Sequence, residues 1–263
     1  MSIQPYQVTA INAFNDNYIW LISHANNNYC VVVDPGDSAP VIEFIKQHEL
    51  ELEAILITHH HNDHVGGVAD LLDYAGKNVP VYGPIKEAND VVTHAVCAGD
   101  TIQLQAFSTP LNVLEVPGHT LGHIAFQSEF SVFCGDTLFS AGCGRMFEGT
   151  PTMFQQSLAD LAALPAQTKV YCAHEYTLAN LAFAKAVSPN CDVLAARLSE
   201  AQALRQQGLP TIPTTIEIER ATNPFLRLGD AQIQAAIANN SQAEITDDLI
   251  DNFAALRRWK DDF

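Results

Sequence analysis

Basic residues are scarce in this chain of 263 residues: 13 Lys and Arg stand against 30 Asp and Glu, and the formal net charge is −17. Nucleic acids and anionic membranes are bound by surfaces dense in Lys and Arg, so the composition argues against both as partners. No apolar run approaches the roughly 20 residues of a membrane span, and the first residues lack the basic and apolar segments of an export signal. We therefore expect a soluble, cytoplasmic protein.

Cysteines are also few, and they are scattered. None of the six belongs to a C-x-x-C pair, and most lie in apolar surroundings, which is typical of reduced residues in the core of a cytosolic protein. A closed zinc site built from cysteines is therefore not expected. The chain is long enough for one large core with a smaller appendage, and we expect it to be a monomer.

The pattern of predicted secondary structure changes near residue 174. Up to residue 174, strand-like runs alternate with helical patterns, which predicts an α/β fold of sheets flanked by helices. The predicted strands are residues 18–22, 29–33, 54–58, 79–82, 112–116, 131–134 and 169–172, and the predicted helices are residues 39–48, 65–74 and 151–164. Later helical patterns, rich in Ala, Leu and Gln, cover residues 178–186, 193–207, 231–238 and 247–260. We therefore predict two domains, residues 1–174 and residues 175–263.

Four candidate metal ligands lie within six residues, directly after an apolar run: His59, His61, Asp63 and His64. Imidazole and carboxylate suit a borderline or harder divalent cation. In an extended segment alternate side chains point to the same side, so we expect His59, His61 and Asp63 to project together. A helix that begins at His64 would turn that side chain toward a second cation. The pattern H-x-H-x-D-H therefore predicts two ligand sets.

Three further candidates follow strand-like runs, where a rigid sheet presents site residues: His119, Asp136 and His174. The seven residues suffice for two cations with three private ligands each and one shared carboxylate. Our assignment is His59, His61 and His119 to one cation, Asp63, His64 and His174 to the other, and Asp136 as the bridge. Each cation then keeps a position open for water, as catalysis requires. Zinc is the expected metal, and iron or manganese would suit the same ligands.

With these ligands the sequence resembles the metallo-β-lactamase superfamily, whose fold is an αββα sandwich with a dinuclear site at one edge. More narrowly, it resembles the glyoxalase II family of hydroxyacylglutathione hydrolases over nearly its whole length. The motifs that carry the resemblance are residues 16–18, 33–37, 58–67, 117–123, 135–139, 142–145, 147–150, 173–177 and 256–263. The resemblance implies a catalytic sandwich followed by a smaller α-helical domain that binds substrate.

The resemblance also implies a reaction, the hydrolysis of the thioester S-D-lactoylglutathione to D-lactate and glutathione in methylglyoxal degradation. Two cations roughly 3.5 to 4 Å apart can lower the pKa of a bound water from about 15.7 toward 7, and the hydroxide attacks the thioester carbonyl. Asp63 is expected to orient that hydroxide, and Asp136 to bridge the cations. Because no Ser-His or Cys-His nucleophile is needed, we interpret Cys143 as a packed neighbour.

Five positions correspond to the family's contacts with glutathione, which carries two carboxylates. Arg145 matches a basic residue at the glutathione portion, and Tyr176 matches a tyrosine near the same ligand. Arg257 and Lys260 match a basic pair that holds a carboxylate, although on charge alone they would equally complement a helix dipole. Phe147 departs from the pattern, since some members carry a tyrosine there, and we expect its hydrogen bond to be absent.

Other functions fit less well. A persulfide dioxygenase with one iron would share several ligands but lack the helical C-terminal domain. A β-lactamase would need an export signal, and a nuclease of this fold would need a basic surface. A non-catalytic protein stabilised by metal would need closed coordination.

Three polar residues near the motifs keep two interpretations each. Asp34 either accepts a hydrogen bond from a ligand imidazole or belongs to a turn before Pro35. His60 either faces solvent or contacts a ligand. His123 either packs in the core or forms a hydrogen bond near the His119 loop.

Overall fold

The computed structural model describes residues 6–76, 78–87, 90–241 and 247–263. The chain divides into two compact units. The first, called here the N-terminal unit, comprises residues up to 115 together with residues 121–135, and the C-terminal unit comprises residues 116–120 and 136–263. These units follow spatial contacts, and the division at residues 174 and 175 stays a prediction.

A six-stranded sheet forms the centre of the N-terminal unit. Its strands, in spatial order, are β1 (Tyr6–Ala13), β2 (Asn17–His24), β3 (Tyr29–Val33), β4 (Glu51–Leu56), β5 (Val81–Pro84) and β6 (His94–Val96). The first three strands pair antiparallel, and β3 to β6 pair parallel. Val33 is paired with Leu56 in the parallel register, so the chain leaves β3 and β4 at the same edge of the sheet.

Helices cover one face of this sheet. They are α1 (Ala39–Gln47), the single turn α2 (Asn62–Val65) and α3 (Val68–Ala75). Val41 of α1 and Leu71 of α3 are fully buried in one cluster with alternate residues of the strands, such as Leu21 and Ile55. This burial removes apolar surface from water on both elements, which stabilises the layer.

A second, antiparallel sheet completes the N-terminal unit. It consists of β7 (Thr101–Ile102), β8 (Leu111–Glu115), β9 (Ile124–Gln127) and β10 (Ser131–Gly135), each paired with the next. The hydroxyl of Tyr6, on β1, lies within hydrogen-bond distance of the hydroxyls of Ser128 and Ser131. These buried polar contacts fix the edge strand β1 beside the turn between β9 and β10.

The C-terminal unit is mainly helical. A short hairpin pairs β11 (Leu138–Phe139) with β12 (Gly142–Cys143), and β13 (Lys169–Cys172) pairs with β14 (Thr214–Thr215). The helices are α4 (Pro151–Ala162), α5 (Thr177–Val187), α6 (Asp192–Gln206), α7 (Ile216–Thr222), α8 (Ala231–Ser241) and α9 (Leu249–Asp261), with a 3-10 turn at Pro224–Leu226. Thr150 and Asp248 cap α4 and α9 by accepting from backbone N–H groups.

Most predicted elements are confirmed with boundary shifts of a few residues, and the strands at residues 29–33 and 169–172 keep their bounds. The helix predicted for residues 65–74 is confirmed as α3 but begins three residues later, at Val68, because Val65 ends the separate turn α2. A side chain on Gly67 would overlap the backbone of residues 35–38, so this close approach sets the break. In the described residues, no helix is long and apolar enough to cross a membrane.

Candidate metal centre

The run at residues 58–64 changes conformation in its middle. His61 is extended, with φ −60° and ψ 144°, and serves as the N-cap of α2, which begins at Asn62. The alternation predicted to align Asp63 with His59 and His61 is therefore wrong, because Asp63 already lies in a helical turn. The turn instead places Asp63 beside His64, whose Nε2 is 3.5 Å from Asp63 Oδ2. Asn62 is exposed.

His59 and His61 form a pair of imidazoles at the end of the sheet. His59 Nε2 lies 3.0 Å from His61 Nδ1, while His59 Nδ1 lies 3.0 Å from the hydroxyl oxygen of Thr58. His59 is completely buried, and its ring also stacks on His123 at 4.6 Å. Two imidazole nitrogens directed at one point, with the far nitrogen of one engaged by a hydroxyl, suit a shared cation.

Asp34 connects the adjacent ends of β3 and β4. One carboxylate oxygen accepts from the backbone N–H of Thr58 at 2.8 Å, and the other accepts from the Thr58 hydroxyl at 2.8 Å. The second oxygen also lies 3.1 Å from His64 Nδ1. Of the two interpretations of Asp34, this short contact favours a role beside an imidazole, and it leaves His64 Nε2 as the nitrogen nearer Asp63. Its φ of +52° is the left-handed conformation that Asn and Asp tolerate best.

Two further polar groups hold this region, and sequence reasoning missed both. Asn17 donates a hydrogen bond from Nδ2 to Asp63 Oδ2 at 3.0 Å. Glu87 is buried and accepts from the backbone N–H of His60 at 2.7 Å and of Gly122 at 2.9 Å. His60 Nδ1 lies 2.9 Å from the same Glu87 carboxylate, so the structure places His60 against a buried acid rather than in open solvent. Asn17 and Glu87 occur in runs without any recognisable ligand spacing.

The three candidate ligands of the C-terminal unit converge on a single carboxylate. His119 Nε2 lies 3.4 Å from Asp136 Oδ2, and His174 Nε2 lies 3.4 Å from Asp136 Oδ1. All three residues are buried. A buried carboxylate with one oxygen toward each of two imidazoles has the geometry that a bridging ligand requires.

Each histidine in this unit contacts a fixed neighbour besides Asp136. His119 Nδ1 is 2.7 Å from the backbone carbonyl oxygen of Arg145, which accepts its N–H and leaves Nε2 with its lone pair. The ring of His174 stacks on that of Tyr176 at 4.7 Å, with an interplanar angle of 4°. Metal-binding histidines commonly donate their second N–H to a carbonyl or carboxylate in this way.

The donor set fits a divalent cation. Imidazole nitrogens and carboxylate oxygens point at one another in each unit, and the described cysteines lie outside these clusters. Buried groups of this kind at such separations gain little from one another as neutral hydrogen-bond partners, whereas a cation satisfies them together. The residues present therefore fit a metal, and which residue binds which ion is taken up below.

The predicted substrate contacts Arg145, Phe147 and Tyr176 directly touch candidate ligands. Besides the Arg145 carbonyl and the stacked Tyr176, the Phe147 ring lies 5.2 Å from the His119 ring. The side chain of Arg145 is 61% exposed, with Nε 3.5 Å from Asp261 Oδ1. Phe147 is 59% exposed, and its ring carries no hydroxyl. Exposed aromatic and cationic groups next to ligands are the surface that an anionic substrate would meet.

Arg257 and Lys260 differ more than the sequence predicts. Arg257 is buried, and its guanidinium donates to the backbone carbonyl oxygens of Cys143 at 3.0 Å and Gly144 at 3.3 Å and to Asp261 at 3.2 Å. Lys260 is partly buried, with Nζ 5.2 Å from the centroid of the Phe183 ring. Burial, together with the nearby Arg257 charge, lowers the pKa of Lys260. A carboxylate-binding role for the pair stays a prediction, and Arg257 has a structural task as well.

The thiol of Cys143 is not activated. Cys143 is buried on β12, and burial raises its pKa to about 11 even though Arg257 lies beside it. A nucleophilic cysteine needs a depressed pKa. The environment therefore agrees with its interpretation as a packed residue.

Comparisons with known proteins cover nearly the whole length of the chain. Residues 14–174 match the family described as "Metallo-beta-lactamase superfamily", and residues 175–263 match "Hydroxyacylglutathione hydrolase C-terminus". The chain is 52% identical to a hydroxyacylglutathione hydrolase of Aliivibrio salmonicida over 256 residues, which cover 97% of this chain and 99% of the relative. It is 50% identical to a hydroxyacylglutathione hydrolase of Shewanella baltica over 262 residues, with the same coverage.

A solved structure supports the fold. ETHE1 from Myxococcus xanthus is similar with a TM-score of 0.64 at 23% sequence identity, over 97% of this chain and 99% of the other. The predicted class, a metallo-β-lactamase α/β fold with a C-terminal helical region, is thereby confirmed. This fold and the His and Asp clusters support a dinuclear site for divalent cations.

Proposed function

Because the chain belongs to the hydroxyacylglutathione hydrolase family of the metallo-β-lactamase superfamily, we propose that it hydrolyses S-D-lactoylglutathione to D-lactate and glutathione. The enzyme is a thioester hydrolase of the glyoxalase II type, and it acts in the second step of methylglyoxal detoxification. The substrate assignment rests on direct contacts between the proposed metal ligands and the proposed substrate-binding residues. The Arg145 carbonyl holds His119, and Tyr176 stacks on His174.

The seven predicted ligands form the site. His59, His61 and His119 would hold one cation, Asp63, His64 and His174 would hold the other, and Asp136 would be the carboxylate shared by both. Support comes from each unit separately: His59 and His61 are a close pair, Asp63 and His64 are a second pair, and Asp136 lies between two imidazoles. Asp34 and the Arg145 carbonyl fix the ligand nitrogens of His64 and His119.

When bound, two divalent cations supply a nucleophilic water at neutral pH and polarise the thioester carbonyl. The chain's own residues give that chemistry its geometry. Asp63 orients the attacking water through its carboxylate, one oxygen of which is held by the Asn17 amide. A fixed acceptor of this kind saves the reorganisation that a mobile carboxylate would need.

The glutathione portion binds along the exposed groups of the C-terminal unit. Arg145 attracts a substrate carboxylate, Phe147 and Tyr176 provide apolar walls, and Lys260 with Arg257 contributes positive charge near a second carboxylate. A net charge of −17 disfavours anions elsewhere on the surface. These few basic side chains therefore concentrate the anionic substrate beside the metal ligands.

The same proposal covers the identity of the metal, the cellular location, the oligomeric state and the domains. The metal is zinc, with iron and manganese as the alternatives that the donor set also suits. The six cysteines are thiols, which fits a cytoplasmic location. The chain acts as a monomer, with residues 1–174 as the catalytic domain and residues 175–263 as the helical substrate-binding domain.

The test is elemental analysis of the purified chain, combined with hydrolysis assays before and after chelation. We expect two divalent ions per chain, cleavage of S-lactoylglutathione, loss of cleavage after chelation, and recovery when metal is restored. A cephalosporin serves as the control substrate and should stay intact. Rapid cephalosporin cleavage without thioesterase activity, or oxygen consumption with glutathione persulfide, would reverse the substrate assignment.

A further inference from the structure

We infer that Glu219 and Asn223 are positioning residues for the metal ligands of the C-terminal unit. They act through residues 136–145, called here the ligand hairpin, which contains β11 and β12. The inference rests on the proposed function in that it concerns the same metal site. Its consequence is that a helix more than 70 residues away in sequence from Asp136 controls how well Asp136 and His119 bind metal.

The ligand hairpin contacts all three ligands of its unit. Asp136 is its first residue, and the carbonyl of Arg145, its last residue, accepts from His119 Nδ1 at 2.7 Å. The ring of Phe139 lies 5.9 Å from the His174 ring in an edge-to-face arrangement. A shift of the hairpin would therefore move a carboxylate ligand, a carbonyl that orients one imidazole, and a ring that packs on another.

The two arms of the hairpin cannot separate or close further without cost. The backbone N–H of Gly144 donates to the Thr137 carbonyl oxygen at 3.2 Å. A side chain on Gly144 would overlap the backbone carbonyl of Asp136, so the arms meet at a contact that only glycine permits. The hairpin thus transmits a displacement of its tip to its base, where the ligands lie.

The tip of the hairpin has a conformation that needs outside support. Ala141 has φ +56°, a left-handed conformation that costs a residue with a Cβ on the order of 1 kcal/mol or more. The backbone of this tip is also buried, and buried N–H and C=O groups require partners. Two strands of two residues each provide few such partners, so side chains must supply them.

Glu219 and Asn223 supply these partners. Glu219 Oε2 accepts from the backbone N–H of Ala141 at 2.8 Å. Asn223 Nδ2 donates to the carbonyl oxygens of Gly142 at 2.8 Å and Phe139 at 3.2 Å, and also to Glu219 at 3.0 Å. One carboxylate and one amide thus hold both sides of the left-handed residue.

Burying Glu219 would be unfavourable if the carboxylate had no specific task. Its side chain is fully buried, and burial raises its pKa although Ala141, Thr214 and Asn223 all donate to it. A well-packed apolar residue would avoid this desolvation cost. The groups that donate to this carboxylate lie on the hairpin tip (Ala141), on β14 (Thr214) and at the end of α7 (Asn223). The carboxylate therefore holds the hairpin tip to these segments.

The experiment measures zinc binding by the full-length apoprotein, with zinc titrated against a chromophoric chelator. In Glu219→Ala and in Asn223→Asp we expect zinc affinity to fall about 10- to 100-fold, the usual effect of losing a group that orders a ligand. Asn223→Asp keeps the oxygen that accepts from the Phe225 N–H but removes the donor to the hairpin. Glu219→Gln keeps a carbonyl acceptor and should bind zinc within a few-fold of the wild type.

Thr222→Ala is the matched control, because Thr222 is buried on the same helix but donates to Ile218 of its own helix at 2.7 Å. It should bind zinc normally. The inference is overturned if a folded Glu219→Ala or Asn223→Asp binds two zinc ions as tightly as the wild type, if Thr222→Ala weakens binding equally, or if both test variants lose near-ultraviolet circular dichroism. Since substrate is absent, a wild type that binds zinc but cleaves no thioester would contradict the proposed function alone.

Discussion

The candidate ligands of the N-terminal unit and those of the C-terminal unit are held in place in different ways. In the N-terminal unit, His59, His61, Asp63 and His64 lie within six residues, and the groups that orient them come from neighbouring strand ends and nearby loops. In the C-terminal unit, His119, Asp136 and His174 are spread over 56 residues of sequence. Their common support is a hairpin that depends on helices later in the chain.

This difference distinguishes two ways of positioning the side chains of a metal site. A contiguous motif obtains its geometry from strand pairing and one helical turn, which are local and robust. A dispersed set needs a connecting element, and that element must itself be fixed. We therefore expect mutations to reveal short-range dependence in the first set and long-range dependence in the second.

The largest effect is expected at Asp136, the proposed bridging carboxylate of the C-terminal unit. Asp136→Asn removes one negative charge between His119 and His174, so kcat/KM should fall more than about 100-fold and the metal content should fall below two ions. Thioester assays and elemental analysis measure both quantities. Asp160→Asn, at an exposed site on α4, is the control. Normal turnover with two bound ions would show that Asp136 is no bridge.

The next effect tests the local set. Asp34→Asn preserves the left-handed backbone, since Asn tolerates it, but weakens the acceptor for Thr58 and His64. Zinc affinity should fall about 10- to 100-fold. Asp37→Asn in the same loop is the control, because Asp37 accepts only from the nearby Ala39 N–H among its described contacts. If Asp34→Asn binds zinc normally, the contiguous run orders itself without the carboxylate.

A smaller effect separates substrate binding from ligand support. Lys260→Ala should raise KM for S-lactoylglutathione by roughly tenfold with little change in kcat, since the loss of about 1.5 kcal/mol, the lower end of the range for a hydrogen bond to a charged group, is about a tenfold change. Arg257→Ala should lower kcat as well, because Arg257 donates to Cys143 and Gly144 of the ligand hairpin. Arg258→Ala, exposed on the same helix, is the control. Identical profiles for the first two variants would contradict this separation.

The smallest expected effect is the alkylation of the buried Cys143 thiol, which should hardly occur. With a pKa of about 11, about one in a thousand Cys143 thiols is ionised at pH 8. Native-state alkylation followed by peptide mass spectrometry should leave Cys143 unmodified while the partly exposed Cys191 reacts. Rapid modification of Cys143 in the wild type would mean that the hairpin opens readily. Faster modification in Asn223→Asp would report the loss of hairpin support directly.

The candidate ligands stand out in the sequence, and most of the groups that contact them do not. His119, Asp136 and His174 each follow an apolar run, so strand ends predicted them. Glu219 and Asn223 carry no such signal, because α7 has seven residues and Asn before Pro indicates merely a turn.

The break between α2 and α3 was missed for a related reason. It depends on a backbone approach to residues 35–38 that no local pattern reveals. Propensity and periodicity describe each segment by itself, whereas these groups obtain their roles from partners distant in sequence. The same limit applies to Arg257, whose charge was recognised but whose bonds to carbonyl oxygens were not.

The dependence of the ligand hairpin on Glu219, Asn223 and Arg257 has a consequence for synthesis on the ribosome, where segments emerge in order from the N-terminus. Asp34, Glu87 and Gly122 all belong to the first half of the chain, so the contiguous candidate ligands can order before the second half is complete. The hairpin tip must wait for the carboxylate of Glu219, the amide of Asn223 and the guanidinium of Arg257. A nascent chain would therefore hold an incomplete site until residue 257 has been added, so the second half of the chain limits when the site can order.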